Sequence, residues 1–194
     1  MVNIVSIGAK RYLVDVGYGS NVPPIPVALE DGGVEFEAVA PTLGRLEYKS
    51  IPQYTDPTQR VWVFSIQDQG QGGWKEQYCF VDQEFLPQDF EVMNFSTMAS
   101  PTSFFVKTVV ATRTILDDRG SRAVGVMILH KDYVKRRLGA VSEILENLET
   151  EEQRVAALEK YFRIILSSEE QGAIRGLGSE LGQPPAGTSS SARE

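Results

Sequence analysis

A chain of 194 residues that is 42% hydrophobic and 23% charged holds enough apolar material for one large or two small domains. Its net charge of −7 is spread along the sequence and argues against nucleic-acid binding, and no apolar run reaches the roughly 18–20 residues that a membrane-spanning helix needs. The single cysteine, Cys79, excludes an internal disulfide and suits a reducing, cytoplasmic setting.

Residues 1–7 (MVNIVSI) read at once as an alternating strand, without the basic-then-apolar pattern of a secretory leader. A chain begun inside a domain would show this pattern. Val2, Ile4 and Ile7 precede a Gly8-Ala9-Lys10 turn, and Tyr12, Leu13, Val14 and Val16 follow it, which predicts a hairpin. Gly17, Gly19, Pro23, Pro24 and Pro26 then predict irregular chain. Alternation predicts strands over 34–39, 45–51, 61–66 and 74–81, with the Gly-rich 70–74 as a hairpin turn.

At 87–98 the period changes, and Phe90, Met93, Asn94 and Phe95 fit a short helix with Asp89 as its N-cap. Two β-rich runs, 104–115 and 122–130, are joined by the turn Asp117-Asp118-Arg119-Gly120. Thr150 with Gln153 makes a capping box, and Val155, Leu158, Phe162 and Ile165 form one apolar helical stripe, with Glu and Arg on the other faces. The Pro-, Gly- and Ser-rich 183–194 reads as a disordered tail. The predicted fold class is α+β: an antiparallel, barrel-like β domain over 1–98, then a smaller β-hairpin-plus-helix lid domain over 99–182.

Chemistry points first to Val14-Asp15-Val16-Gly17-Tyr18-Gly19. A carboxylate ending an apolar strand is unfavourable unless something neutralises it or donates hydrogen bonds to it. Such an aspartate can orient a histidine and hold its tautomer, while nearby glycines can present amides to an anion. Taken alone, an Asp-x-Gly more often only caps its own turn.

The run 11–20 (RYLVDVGYGS), taken with 85–96 (FLPQDFEVMNFS), resembles the arylamine N-acetyltransferases. Their strand motif has the form Y-L-V-D-V-G-F-G, so Tyr18 stands here for the usual phenylalanine. The similarity continues through Ser100-Pro101-Thr102-Ser103-Phe104-Phe105 and Leu158-Glu159-Lys160-Tyr161-Phe162 and spans about residues 2–166. It implies ping-pong acetyl transfer. A cysteine thiolate takes acetyl from the co-substrate acetyl-coenzyme A and passes it to an arylamine, arylhydroxylamine or hydrazine. A histidine activates the thiolate and an aspartate orients the histidine. Asp15 stands at the place of that aspartate. Gly17, Gly19, Thr102, Ser103 and Phe105 are the residues expected to meet coenzyme A and the acceptor, and no covalently bound cofactor is implied.

The departures carry equal weight. At the family's spacing the histidine would fall at or just before Met1, and the cysteine belongs to an N-terminal helical domain with an Arg-Gly-Gly-x-Cys motif that this sequence does not contain. Cys79, within Tyr78-Cys79-Phe80, reads as a small buried hydrophobe, and His130 as a surface residue at a strand end. The resemblance gives neither a role, and no spacing suits a metal site. No helix follows the Gly-rich 70–74, so it is no phosphate cradle. Lys131, Lys135, Arg136 and Arg137 read as a solvated face, with coenzyme A phosphates as the alternative. The expectation is a truncated acetyltransferase without its own activity. A non-catalytic coenzyme-binding module, or one that docks on a helical domain or a full-length relative, is the alternative.

Overall fold

Alternation at the start of the chain becomes β1 (Asn3–Ile7) and β2 (Lys10–Val14), antiparallel partners in which Asn3 faces Val14 and Ile7 faces Lys10. Their two-residue connection holds Gly8 at φ +60°, a conformation that glycine adopts without strain. A two-residue β3 (Val27–Ala28) pairs with the other edge of β2. The computed structural model describes residues 1–30, 32–68 and 71–182. The expected tail, and Gly70 of the expected Gly-rich turn, lie outside the described residues.

Four longer strands, β4 (Val34–Glu37), β5 (Leu43–Lys49), β6 (Val61–Asp68) and β7 (Gln71–Phe80), form a second antiparallel sheet in that order. β6 runs through its middle and is buried on both faces from Val61 to Ile66, which is why it reads as a nearly continuous apolar run. Trp62, Phe64 and Ile66 join Leu13, Val27 and Leu46 in one core cluster, with Phe36, Tyr78 and Phe80 packed against it. Phe36 lies directly across from Gly44 in the register, and its ring fills the place a side chain would take. The expected barrel-like closure does not form. Among the described residues β4 and β7 end the sheet as open edges, because four strands are too few to close a barrel around side chains.

A third sheet has the order β11-β10-β9-β8, built from β8 (Val110–Leu116), β9 (Ala123–His130), β10 (Tyr133–Leu138) and β11 (Val141–Asn147). The turn between β8 and β9 forms as its sequence predicts. The Asp117 carboxylate accepts from the amides of Ser121 at 2.8 Å and Arg122 at 3.1 Å, and Gly120 sits at φ +69°.

Helix α1 (Pro87–Ala99) has Leu86 as its N-cap, and Asp89 is its third residue. Pro87 favours the first helical position because its φ is already helical, which starts the helix earlier than an Asp89 cap would allow. The Asp89 carboxylate instead reaches back to the Leu86 amide at 2.8 Å. Phe104–Lys107 forms the short helix α2, where a strand is predicted, and the strand begins only at Val110. Position overrides β-propensity there: the Ser103 amide turns back to the Ser100 carbonyl at 2.9 Å and sets the chain into a helical turn.

The capping box opens α3 (Glu151–Ala157) as expected, the Gln153 amide donating to Thr150 Oγ1 at 3.3 Å. A π-turn over Leu158–Phe162 follows and ends at Arg163, which is left-handed at φ 61°. The helix therefore stops short of Ile165, which is 78% exposed, and the predicted apolar stripe ends at Phe162. Arg154, expected on the solvent side, is 1% exposed. A last short helix, α4 (Ser168–Gly172), carries its own capping box.

The chain divides into two compact units. The first is Met1–Phe85 with Thr112–Val126 and Arg136–Ser142, and the second is Leu86–Ala111 with Met127–Lys135 and Glu143–Glu194. Among the described residues no helix is long and apolar enough to cross a membrane.

Candidate functional site

Strand periodicity puts Leu13 and Asp15 on one face of the chain, and Leu13 belongs to the core. Asp15 is carried inward with it and is 6% exposed, one step past the end of β2. The Gly17 amide donates to Asp15 Oδ1 at 2.8 Å, an Asx-type turn that holds one carboxylate oxygen. Continuing the β1–β2 register beyond Asn3 and Val14 makes Val2 the cross-strand neighbour of Asp15.

The second group at this carboxylate comes from β7. Tyr78 is half-buried with its hydroxyl oxygen buried, and that burial, followed by the Asp15 carboxylate, pushes its pKa well above the usual tyrosine range. Its hydroxyl faces Asp15 without closing a well-aligned hydrogen bond. The Tyr18 ring lies 4.8 Å from that of Tyr78, and the Tyr18 hydroxyl donates to the Gln77 carbonyl at 2.9 Å. Asn21 Nδ2 donates to Gln77 Oε1 at 3.4 Å, and Arg137 Nη2 to the Ser20 carbonyl at 3.5 Å. The loop after Asp15 is thus tied down at several points.

Of the two glycines singled out here, Gly19 has a conformational reason to be glycine, at φ +87°. A Cβ on Gly17 would meet Asp15 Oδ1 at 3.8 Å and the Met1 carbonyl at 4.0 Å, which are ordinary contacts.

Thr102, Ser103 and Phe105 gather in the second unit, where α1 turns into α2. An open pocket of about 290 Å³ is lined there by the hydroxyl residues Ser96, Thr97, Ser100, Thr102 and Ser103 and by Phe104 and Phe105. Ser100 and Thr102 share a hydrogen bond of 2.9 Å, and Ser103 Oγ donates to the Thr97 carbonyl at 2.6 Å. Phe105 is 65% exposed. Such a lining offers uncharged donors and acceptors beside a flat apolar wall, suited to an amide or phosphate oxygen next to an acyl or aryl group.

Three expectations need correction. Cys79 is exposed rather than packed in the core: Tyr78 and Phe80 take the core-facing side of β7, so alternation turns Cys79 to the other face. His130 is half-buried, its ring between Phe104 at 5.8 Å and Tyr133 at 5.5 Å, with Nδ1 buried and unpartnered. Of the basic run only Lys131 is exposed as expected; Lys135, Arg136 and Arg137 are half-buried along β10, and Arg137 serves the loop after Asp15. Sequence reasoning missed Tyr78, Gln77 and Asn21. The inward alternation of β7 marks Tyr78 as core, but nothing local in the sequence places it at Asp15.

A family model described as N-acetyltransferase matches residues 1–171. The chain is 34% identical over 181 residues to the N-malonyltransferase FDB2 of Gibberella moniliformis, covering 90% of this chain and 52% of that protein. It is 33% identical over 182 residues to the N-malonyltransferase FDB2 of Fusarium pseudograminearum, covering 90% and 53%. The chain spans about half the length of the curated relatives it matches. Among solved structures, the arylamine N-acetyltransferase from Mycobacterium abscessus superposes with a TM-score of 0.68 at 21% identity over 88% of this chain and 55% of that one. The Mycobacterium marinum arylamine N-acetyltransferase in complex with CoA gives 0.64 at 22% identity, over 84% and 53%. At these identities the likeness shows the fold, α+β with open sheets.

Proposed function

This chain belongs to the N-acetyltransferase family, and we propose that it carries the aspartate-bearing part of an N-acyltransferase active site, with Asp15 the carboxylate that orients the catalytic histidine. The observation that carries this reading is the burial of Asp15 at the end of β2, with one oxygen held by the Gly17 amide. A carboxylate so held can accept an imidazole N–H on its remaining lone pairs, fix the tautomer and stabilise the imidazolium. The imidazole then takes the thiol proton, and the thiolate attacks the acyl thioester. Coenzyme A leaves as its thiol with that proton, and an arylamine or hydrazine nitrogen attacks the acyl-cysteine, giving its proton through the imidazole to the departing cysteine sulfur.

In this reading Gly17 and Gly19, within the first unit, offer backbone to the acyl-coenzyme A donor, and Thr102, Ser103 and Phe105, within the second, are separately proposed to bind donor or acceptor. The names of the curated relatives favour malonyl-coenzyme A beside acetyl-coenzyme A as donor. Cys79, exposed on the face of β7 away from Tyr78, and His130, set between Phe104 and Tyr133, take no part.

The test replaces the matching half of a full-length N-malonyltransferase relative with residues 1–171. The chimera should transfer acyl groups to an arylamine. Asp15→Asn in it should reduce turnover by orders of magnitude, since the same change in the serine-protease triad costs roughly 10⁴-fold. Chain 1–194 alone should show no turnover with either donor. A folded chimera indifferent to Asp15→Asn, or turnover by the chain alone that Cys79→Ala abolishes, refutes the proposal.

A further inference from the structure

A guanidinium drawn part-way out of water is costly to leave without an anion, so arginines that are not fully exposed tend to take carboxylate partners. Arg11 pairs with Asp82, Arg45 with Glu47, Arg122 with Glu37 and Arg154 with Glu151. Arg137 does not. It is half-buried on β10, and among the described residues its guanidinium has a single contact, the long one from Nη2 to the Ser20 carbonyl at 3.5 Å. With 26 acidic residues against 19 basic ones, carboxylates are not scarce in this chain. The missing partner belongs to the place.

That place is well fixed. Arg137 lies on an interior strand of its sheet, where Gly125 of β9 leaves no room for a side chain against the Arg137 carbonyl. Just beyond it the Gly139 amide donates to the Val124 carbonyl at 3.1 Å. The loop that the guanidinium meets is held as well, by the Gly17 amide on Asp15 and the Tyr18 hydroxyl on the Gln77 carbonyl. A guanidinium offers a fork of N–H donors, and one long contact leaves most of that fork unused.

The two donors that suit the proposed function differ at one point. Malonyl ends in a carboxylate and acetyl in a methyl group. A carboxylate is the group that a guanidinium recognises through paired N–H···O bonds, and a methyl group offers it nothing. The phosphates of coenzyme A are anions too, but they carry several charges and lie far along the donor from its thioester. Arg137 instead meets the loop that begins at Asp15 and carries Gly17 and Gly19.

We propose that Arg137 selects the donor by its acyl group: its guanidinium binds the free carboxylate of a malonyl-type acyl chain, so this chain prefers malonyl-coenzyme A to acetyl-coenzyme A. Arg137 acts on binding and takes no part in making or breaking bonds. The inference rests on Asp15 belonging to the acyl-transfer site. That reading stands or falls on turnover in the chimera, whereas donor selection is tested at equilibrium without turnover, so the two can fail separately.

The experiment is equilibrium dialysis of radiolabelled malonyl-coenzyme A and acetyl-coenzyme A against chain 1–194, with folding of each variant checked by circular dichroism. The unaltered chain should hold the malonyl donor more tightly by at least about tenfold, the factor expected for one charge-assisted hydrogen-bonded contact. Added salt should shrink that ratio. Arg137→Gln should bring the ratio close to one, and Arg137→Lys, which keeps the charge but loses the fork, should leave it in between. Equal affinities in the unaltered chain, no binding of the malonyl donor, or a preference that survives Arg137→Gln overturns the proposal. So does weakening of both donors by the same factor, which would assign Arg137 to the coenzyme A phosphates or to upkeep of the loop alone.

Discussion

Arg154→Met tests the least expected packing in the chain. Arg154 is 1% exposed and each of its three guanidinium nitrogens has a partner. Nε donates to Glu151 Oε2 at 2.9 Å, Nη1 to the Lys131 carbonyl at 3.3 Å and Nη2 to the Ser179 carbonyl at 2.9 Å, with a further close contact between Nη2 and Glu151 Oε1. Glu151 Oε1 also accepts from the Leu181 amide at 2.7 Å, so one ion pair joins α3, the β9–β10 turn and the segment after α4. Methionine keeps much of the apolar stem but leaves the Glu151 carboxylate and two carbonyls without their cation. Removing one partner of a buried ion pair costs about 3–5 kcal/mol. For a chain of this size that corresponds to a melting-temperature fall of about 6–20 °C, at roughly 2–4 °C per kcal/mol. Thermal unfolding followed by circular dichroism reads the shift, and hydrogen exchange at Leu181 should rise with it. The double variant Arg154→Met, Glu151→Met should lose less than Arg154→Met alone, because the stranded carboxylate goes too. A single-variant cost below about 0.5 kcal/mol, the size of an ordinary surface change, would refute the reasoning.

Two further outcomes follow from the first unit. A Cβ on Gly44 would come within 2.5 Å of the Phe36 ring, so Gly44→Ala should lower the urea midpoint by the equivalent of about 1–3 kcal/mol; Phe36→Leu in the same chain should recover part of it, and strict additivity of the two changes would defeat the explanation. The Arg122 guanidinium, at 2.5 Å from both Glu37 carboxylate oxygens, holds the Glu37 carboxyl below the usual carboxylate range, so the pair stabilises above that range and loses its contribution as pH falls through the lowered pKa. Glu37→Gln should therefore flatten the fall of the urea midpoint between about pH 6 and about pH 3, and an unchanged slope would count against it.

Much of the β architecture was legible because half-buried strands write their pattern locally. Val34–Glu37 alternates, and β6 is almost continuously apolar from Val61 to Ile66 because both of its faces are covered there. Where the pattern failed, a distant partner had overridden it. Tyr133–Leu138 carries Lys135, Arg136 and Arg137 and reads as surface, yet it is an interior strand of its sheet with half-buried cations. Arg154 reads as the polar side of a helix until the carbonyls of Lys131 and Ser179 come to meet it. Cys79 reads as core because its neighbours are apolar, and only the side of β7 that meets the core separates it from Tyr78 and Phe80.

The candidate site divides along the same line. Asp15, Gly17 and Gly19 sit within five residues of one another, so their motif and the Asx turn between Asp15 and Gly17 can be read from the chain alone. What gives the motif its setting is non-local: Asp15 is buried beside Leu13, whose core cluster β6 and β7 build from far along the chain. Tyr18 shows the consequence. From sequence it is one more aromatic ring between two glycines. Beside Gln77 its hydroxyl has a defined acceptor at 2.9 Å, and the residue becomes a tether between the loop after Asp15 and β7. A local motif can thus mark a buried carboxylate and its own turn, while the contacts that anchor the loop after it emerge only from strand pairing.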